Sequence, residues 1–373
     1  MREGFSLFLV VVALVGCRSP QNSGEAFFYV DPLGVSLKTG AITQGENIVI
    51  KNEGEDIVLA LVNDGVDGSV YSVPVFGGSV WGKWREDGVF CGNWVDSLRS
   101  PDYTIPVQFT PKPLGNPCAE KPTPFIYETT LGKLVAEQNC DSVKGTILTP
   151  TGDYRYLNGK IDGRKLVLNT FDGAHLFLFY ADIKNDSLVN GVFKSGNHYE
   201  EAWSGVKTNS LEAGWSSKQS PLINHPLDVG GIDLVQLLDS LEKDVLVIDV
   251  MGTWCPNCYD EVRLIKSLKK EYDEALFISL AFERGDSLSA LKRIEQFKEA
   301  LSIDWEVLYG GVANKQVANN CVPFMGGIKS FPTTAFISKS GDVVVHTGFS
   351  GPATPFYEDE VGFYTSTLNS FIE

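Results

Sequence analysis

The chain of 373 residues is short of positive charge and of histidine, and its N-terminal apolar run is brief. Its 31 Lys and Arg stand against 47 Asp and Glu, a formal net charge of −16. That balance argues against nucleic acid and anionic membrane surfaces as partners and favours a soluble, self-repelling protein. The 4 histidines, His175, His198, His225 and His346, are scattered, with no H-x-x-x-H and no Cys/His cluster. No metal site is expected from them, and no cofactor. Residues 195–203 place His198 beside Tyr199, Glu200, Glu201 and Trp203, without ligand spacing, so they read as hairpin-flanking surface. The apolar run at residues 5–15, behind Arg2, is too short to span a bilayer. It reads as the apolar region of a secretory signal peptide.

The first half also lacks helical periodicity of useful length. Strand-like runs fall instead at 57–62, 70–76, 80–84, 105–109, 142–148, 154–158, 165–169, 174–180, 187–193 and 199–206. The clusters Thr151-Gly152-Asp153, Asp162-Gly163, Asp172-Gly173, Asn185-Asp186 and Ser195-Gly196-Asn197 recur at a spacing of about ten residues, the signature of an antiparallel meander with tight hairpins. An all-β domain, an antiparallel barrel or sandwich, is therefore expected over residues 26–209. The aromatic segment Trp81, Trp84, Phe90 and Trp94 reads as core or inter-domain packing. Residues 210–228, rich in Ser, Gly and Pro, read as a linker.

Chemistry concentrates after that linker. Val245-Leu246-Val247-Ile248-Asp249-Val250 reads as a buried parallel strand, and a Gly252-Thr253-Trp254 turn delivers Cys255-Pro256-Asn257-Cys258 onto a helix. A cysteine at a helix N-terminus meets free N–H groups and the positive end of the helix dipole, which favour thiolate over thiol. Cys255 is thus the expected attacking thiolate, and Cys258, one turn further in, the more buried resolving thiol. Asp249 lies inside an otherwise apolar strand, where an isolated carboxylate is costly. It is placed to accept the proton of Cys258. Beyond the dithiol, residues 276–282 form a second buried strand, and Asp286 caps a helix with Leu288, Leu291, Ile294, Phe297 and Leu301 inward.

Trp254-Cys255-Pro256-Asn257-Cys258, the acid Asp249, and Lys329-Ser330-Phe331-Pro332-Thr333-Thr334-Ala335-Phe336 together resemble a thioredoxin fold of the TlpA/ResA type, the periplasmic thiol-disulfide oxidoreductases. The resemblance spans about the last 150 residues. It implies an α/β thioredoxin-like domain over 229–373, with Pro332 as the cis-proline facing the dithiol. It also implies Glu283, at the end of the second strand, as a tuning residue near the sulfurs. Trp254, Pro256 and Asn257 would complete the redox motif, and reduction of disulfides would be the direction of electron flow.

Leu14-Val15-Gly16-Cys17 resembles a bacterial lipobox, which makes 1–16 a lipoprotein signal peptide, Cys17 the lipidated residue and 17–25 a polar tether. The expected location is the periplasmic side of a bacterial membrane, with the outer membrane favoured because Arg18 follows the lipidated residue. Of 7 cysteines, Cys91, Cys118, Cys140 and Cys321 are left over. Cys91 with Cys118 and Cys118 with Cys140 both fit as loop closures, and buried unpaired thiols are the other reading. Cys321 reads either as a packed small hydrophobe or as a third redox thiol.

The function expected is a membrane-anchored thiol-disulfide oxidoreductase. Its partners would be disulfide-containing extracytoplasmic proteins and a membrane thiol electron donor. Two alternatives are a thiol peroxidase, for which Thr253 stands one position too close to Cys255, and a binding lipoprotein with a redox-inert scaffold, which would not need two thiols at this spacing.

Overall fold

A computed structural model describes residues 23–30, 34–41, 47–52, 54–112, 118, 120–212, 218–219 and 225–372. The expected signal peptide 1–16, the expected lipidation residue Cys17 and much of the expected linker lie outside the described residues.

Three sheets follow one another along the chain. The first comprises β1 (Gly24–Phe28), β2 (Val35–Ala41), β3 (Ile48–Asn52), β4 (Glu55–Gly65), β5 (Gly68–Ser72), β6 (Ser79–Trp84), β7 (Phe90–Val95) and β8 (Thr104–Pro111). Neighbours in sequence pair antiparallel and β1 closes onto β8, giving a barrel. Closure leaves no sheet edge open to another chain. Every second side chain points inward, so Phe28, Tyr71, Phe90, Trp94 and Phe109 fill the interior.

The second sheet holds β9 (Thr123–Thr129), β10 (Gly132–Asn139), β11 (Ser142–Thr149), β12 (Gly152–Asp153), β13 (Leu157–Asp162), β14 (Lys165–Phe171), β15 (Leu176–Lys184), β16 (Ser187–Ser195) and β17 (Tyr199–Thr208). β17 pairs with β9, β9 with β10 and β10 with β11, so this meander also curls back on itself. Gly163 (φ +60°) and Asn185 (φ +54°) supply the left-handed backbone its tight turns require.

The third sheet is the platform for the dithiol. Its elements are β18 (Lys218–Gln219), β19 (Asp228–Val229), β20 (Ile232–Asp233), α1 (Leu234–Ser240), β21 (Val245–Met251), α2 (Pro256–Leu268), β22 (Ala275–Glu283), α3 (Ser287–Leu301), β23 (Glu306–Val312), α4 (Lys315–Cys321), β24 (Thr333–Ser338), β25 (Val343–Thr347) and α5 (Tyr357–Phe371). The strand order is β18-β25-β24-β21-β22-β23, and β19 with β20 forms a separate ribbon. β21 runs parallel to β22 and antiparallel to β24, and all seven of its residues are buried. Apolar side chains of α2, α3 and α5 cover one face, and those of α1 and α4 the other. Asp233, Asp286 and Asn314 each cap a helix by accepting two backbone N–H bonds.

The expected pair of an α/β thioredoxin-like C-terminal domain and an all-β N-terminal domain is overturned. Strand far outweighs helix, 48% against 19%, so the molecule is mostly β, with barrel-like sheets and five α-helices among the described residues. The physical reason is that buried contacts tie the sheets together. Val75 packs against both the barrel core and the core under α2. Phe76 meets Tyr259 of α2 edge-on at 5.8 Å, and the Arg293 guanidinium of α3 donates to the Val75 carbonyl at 2.8 Å. In the barrel and the second sheet, β1, β2, β3, β7, β9 and β10 fall where no strand was expected.

The strongest tie is Arg155, buried between the sheets. It donates to Asp260 of α2 at 2.8 and 3.0 Å and to Glu55 of the barrel at 3.1 and 2.6 Å, and lies 3.9 Å from Asp172. One cation faces three carboxylates, and burial raises Glu55 to about 7 and nearby Asp153 to about 6. Replacing Arg155 with Met strands these acids without a counter-charge. Arg155→Met is expected to lose about 3–5 kcal/mol in denaturant unfolding, and a loss below about 1 kcal/mol would refute the clamp.

Raised carboxyls favour the folded state while protonated. Their stabilisation is full below the ordinary pKa values of 4.5 and 3.8 and is lost as pH rises through about 6–7. Asp172, lowered to about 2, gives its stabilisation above 3.8 and loses it only as pH falls toward 2, outside this window. The urea midpoint is therefore expected to be higher at pH 5 than at pH 8, and Glu55→Gln should flatten that slope. A midpoint that rises toward pH 8 would reverse the assignment.

Candidate active site

The dithiol sits where β21 ends and α2 begins. Gly252 carries the turn because a side chain has no room there: a Cβ would lie 2.5 Å from the Trp254 indole nitrogen and 2.9 Å from the Phe282 carbonyl oxygen. The Glu283 carboxylate then fixes the turn, accepting from the Thr253 backbone N–H at 2.7 Å and its hydroxyl at 2.8 Å. Cys255 takes the N-cap position of α2, its sulfur 3.3 Å from the Cys258 N–H, and Pro256 opens the helix. Pro is suited to that position because its missing N–H would have had no partner within the helix.

Both cysteines are free thiols. Cys255 is 7% exposed and Cys258 is fully buried. Burial, with Cys255 alongside, pushes the Cys258 thiol well above its usual range. The Phe331–Pro332 bond is cis, and the Phe331 carbonyl oxygen lies 3.5 Å from the Cys255 sulfur. Pro332 is buried behind it.

Beneath the sulfurs lie two buried carboxyls. Asp249, in β21, accepts from the Ser279 hydroxyl at 3.1 Å, and Ser279 in turn accepts from the Trp305 indole at 3.0 Å. Burial first, then the neighbouring Glu261, raise Asp249 well above the carboxylate range. Glu261 accepts from the Thr334 and Tyr364 hydroxyls with one oxygen, and burial raises it too. The other Glu261 oxygen and one Asp249 oxygen have no ordinary donor, while each carboxyl acts as hydrogen-bond partner to the other. Two buried carboxyls in contact do not both ionise, so they hold at least one proton between them.

Glu261 escaped the sequence reading. Its signal was its phase: it lies three residues after Cys258 and four before Ile265, on the inward face of α2.

The remaining residues fall around this centre. Trp254 donates to the Phe282 carbonyl at 2.9 Å, meets Phe331 edge-on at 5.6 Å, and carries the Arg284 guanidinium 4.5 Å above its ring. Asn257 donates to the Asp153 carbonyl at 3.2 Å, which brings the second sheet against the motif. A cavity of about 270 Å³ lies between Thr149, Asp153, His175 and Phe177 on one side and Asn257 and Phe331 on the other. A larger one of about 400 Å³, lined by Gly54, Tyr156 and Pro352, contains no residue of the motif.

The structure does not bring the other cysteines to the site. Cys118 and Cys140 form a disulfide, Cys91 is exposed on β7, and Cys321 packs into the apolar cluster on the far face of the sheet.

No protein-family model matches the chain, and no curated protein matches it. Among solved structures it is similar to a thioredoxin-like protein from Aeropyrum pernix, at 19% identity over 36% of this chain and 81% of that one, TM-score 0.27. It is similar also to a thiol:disulfide interchange protein of the thioredoxin family from Chlorobium tepidum TLS, at 23% identity over 33% and 84%, TM-score 0.24. Both likenesses leave the larger part of the chain unmatched, and neither singles out the TlpA/ResA type.

The burial difference between the two thiols has a direct chemical readout. In the reduced protein at pH 7, iodoacetamide is expected to label Cys255 and leave Cys258 unmodified, as read by peptide mass. In Cys255→Ser, Cys258 should still resist. Labelling of Cys258 at the rate of a free cysteine would contradict the geometry.

Proposed function

We propose that the chain is a thiol-disulfide oxidoreductase that reduces disulfides outside the cytoplasm. The observation that carries this reading is the dithiol itself: a sulfur at a helix N-terminus with a small exposed edge, a fully buried second sulfur one turn on, and a pair of buried carboxyls below them. The Cys255 thiolate attacks one sulfur of a substrate disulfide, that S–S bond breaks, and one substrate thiolate leaves. Cys258 then gives its proton to the acid pair and attacks the Cys255 sulfur. The second substrate thiol leaves, and the enzyme is left as the Cys255–Cys258 disulfide, having passed two electrons to the substrate. Asp249 and Glu261 suit the proton transfer because each keeps an oxygen without an outside donor in a dry site. Phe331 and Pro332 form the wall against which the substrate segment lies.

A membrane thiol donor would return the electrons, and a lipid on Cys17 would hold the protein at the periplasmic face. The lipobox pattern supports that placement, and so does the Cys118–Cys140 bridge, since such disulfides persist where the surroundings are oxidising. Disulfides in extracytoplasmic proteins are then the substrates within reach.

Cys258→Ser is expected to accumulate a mixed disulfide at Cys255 when the reduced variant meets a disulfide substrate, seen as a mass adduct that dithiothreitol removes. Cys255→Ser should form none. An absence of adducts in Cys258→Ser would remove the reading.

A further inference from the structure

An arginine stands over the dithiol motif although the chain as a whole is strongly acidic. Arg284 follows Glu283 at the end of β22, half-buried, its guanidinium stacked over Trp254. Among the described residues it makes no hydrogen bond and no ion pair. Gly285 (φ +86°) turns the chain against the barrel, where a Cβ would lie 3.5 Å from the Leu98 side chain. The next barrel residue, Arg99, stacks over Tyr103 at 4.9 Å, donates to the Ala174 carbonyl and pairs with Asp96 at 3.5 Å. Ala174 leads into His175, which lines the cavity beside the motif and stacks on Phe177 at 4.8 Å. His198 completes the arc against Tyr103 at 5.4 Å.

The acids of this region are already occupied. Asp96 holds Arg99, Asp172 holds His175 at 3.2 Å and faces Arg155, and Glu283 is bound by Thr253. Burial lowers His175 and His198 below the usual histidine range, and Arg99 and Arg284 add to that push, which Asp172 opposes at His175. A guanidinium stacked on the Trp254 indole next to Cys255, with no hydrogen bond or close ion pair among the described residues and only the more distant attraction of Glu283 and Asp96, both already engaged elsewhere, is a ready carboxylate receptor.

We propose that Arg284 anchors a carboxylate of the substrate, so that the preferred disulfide carries a negative charge within one or two residues of its sulfur. This rests on the oxidoreductase reading above and names its substrate class. The 7% exposure of Cys255 suits an extended, flexible segment rather than the face of a folded protein. Two sources share that chemistry: a small carboxylated disulfide and an acidic flexible loop of a protein.

The test measures second-order rate constants for oxidation of the reduced full chain by dithiodiglycolate, hydroxyethyl disulfide and cystamine, which are anionic, neutral and cationic. Each rate is divided by that of dithiothreitol with the same disulfide, which removes intrinsic reactivity. The anionic probe is expected to exceed the neutral one by about tenfold or more at low salt, with the excess falling as salt rises. Arg284→Met should abolish the excess while leaving the neutral rate in place, and Arg284→Lys should keep part of it.

An anionic-to-neutral ratio equal to that of dithiothreitol, or one unchanged in Arg284→Met, overturns the assignment. Failure to oxidise the dithiol with the neutral probe overturns the oxidoreductase reading along with it. Glutathione disulfide and a peptide disulfide with acidic flanks, each set against a lysine-flanked peptide, separate the sources. Preference for either acidic probe supports the anchor, and preference for the lysine-flanked one overturns it.

Discussion

One buried guanidinium holds the molecule in register. Arg155 reaches from the second sheet to Glu55 of the barrel and Asp260 of α2, with Asp172 near its remaining edge. A charge removed from water survives only when its hydrogen-bonding capacity is met, and Arg155 meets it by bidentate pairing on two sides. Asp260 lies two residues beyond Cys258, so the clamp grips the helix that presents the dithiol. The position of the sulfurs relative to both β sheets therefore depends on a contact that takes no part in the chemistry.

The site divides its work by environment rather than by residue type. The two cysteines are chemically identical, yet one caps a helix at the cavity wall and the other is sealed beneath it. The carboxyls divide in the same way. Glu283 is satisfied by two donors from Thr253 and so serves as a brace for the turn. Asp249 and Glu261, pressed together with one oxygen each lacking a donor, form a proton reservoir. A third environment is the outer wall, where Arg284 has an aromatic face below it and solvent beyond.

How much of this could be read from the chain follows from the range of each interaction. The dithiol, its strand and its helix are local, written within residues 245–268, where the chemistry dictates the spacing. The meander was legible for the same reason, because tight turns advertise themselves through Gly, Asn and Asp. Barrel closure is not local: β1 pairs with β8 across more than seventy residues, and nothing in either strand names its partner. The Arg155 contacts join residues 100 and 105 apart, so the sheets looked separable when they are not. Glu261 was hidden differently. Reading α2 by its apolar repeat of Val262, Ile265 and Leu268 treats a glutamate as outward by default, and only a count from Cys258 places it inward.

The charge of the chain and the charge of its cleft point in opposite directions, and distance reconciles them. At physiological ionic strength a field fades within about 8 Å, so the net −16 governs solubility and encounters at long range but not contact within the cleft. There the sum is set by whichever groups remain unpaired. Glu55, Asp172 and Asp260 are gathered around Arg155, and Asp153 accepts from the Gly351 and Arg155 N–H groups, so these acids project little charge outward. Arg284 has no such partner among the described residues. The packing that welds the three sheets together thus engages these acids elsewhere and leaves the Arg284 guanidinium, among the described residues, without a hydrogen-bonded acid beside Trp254.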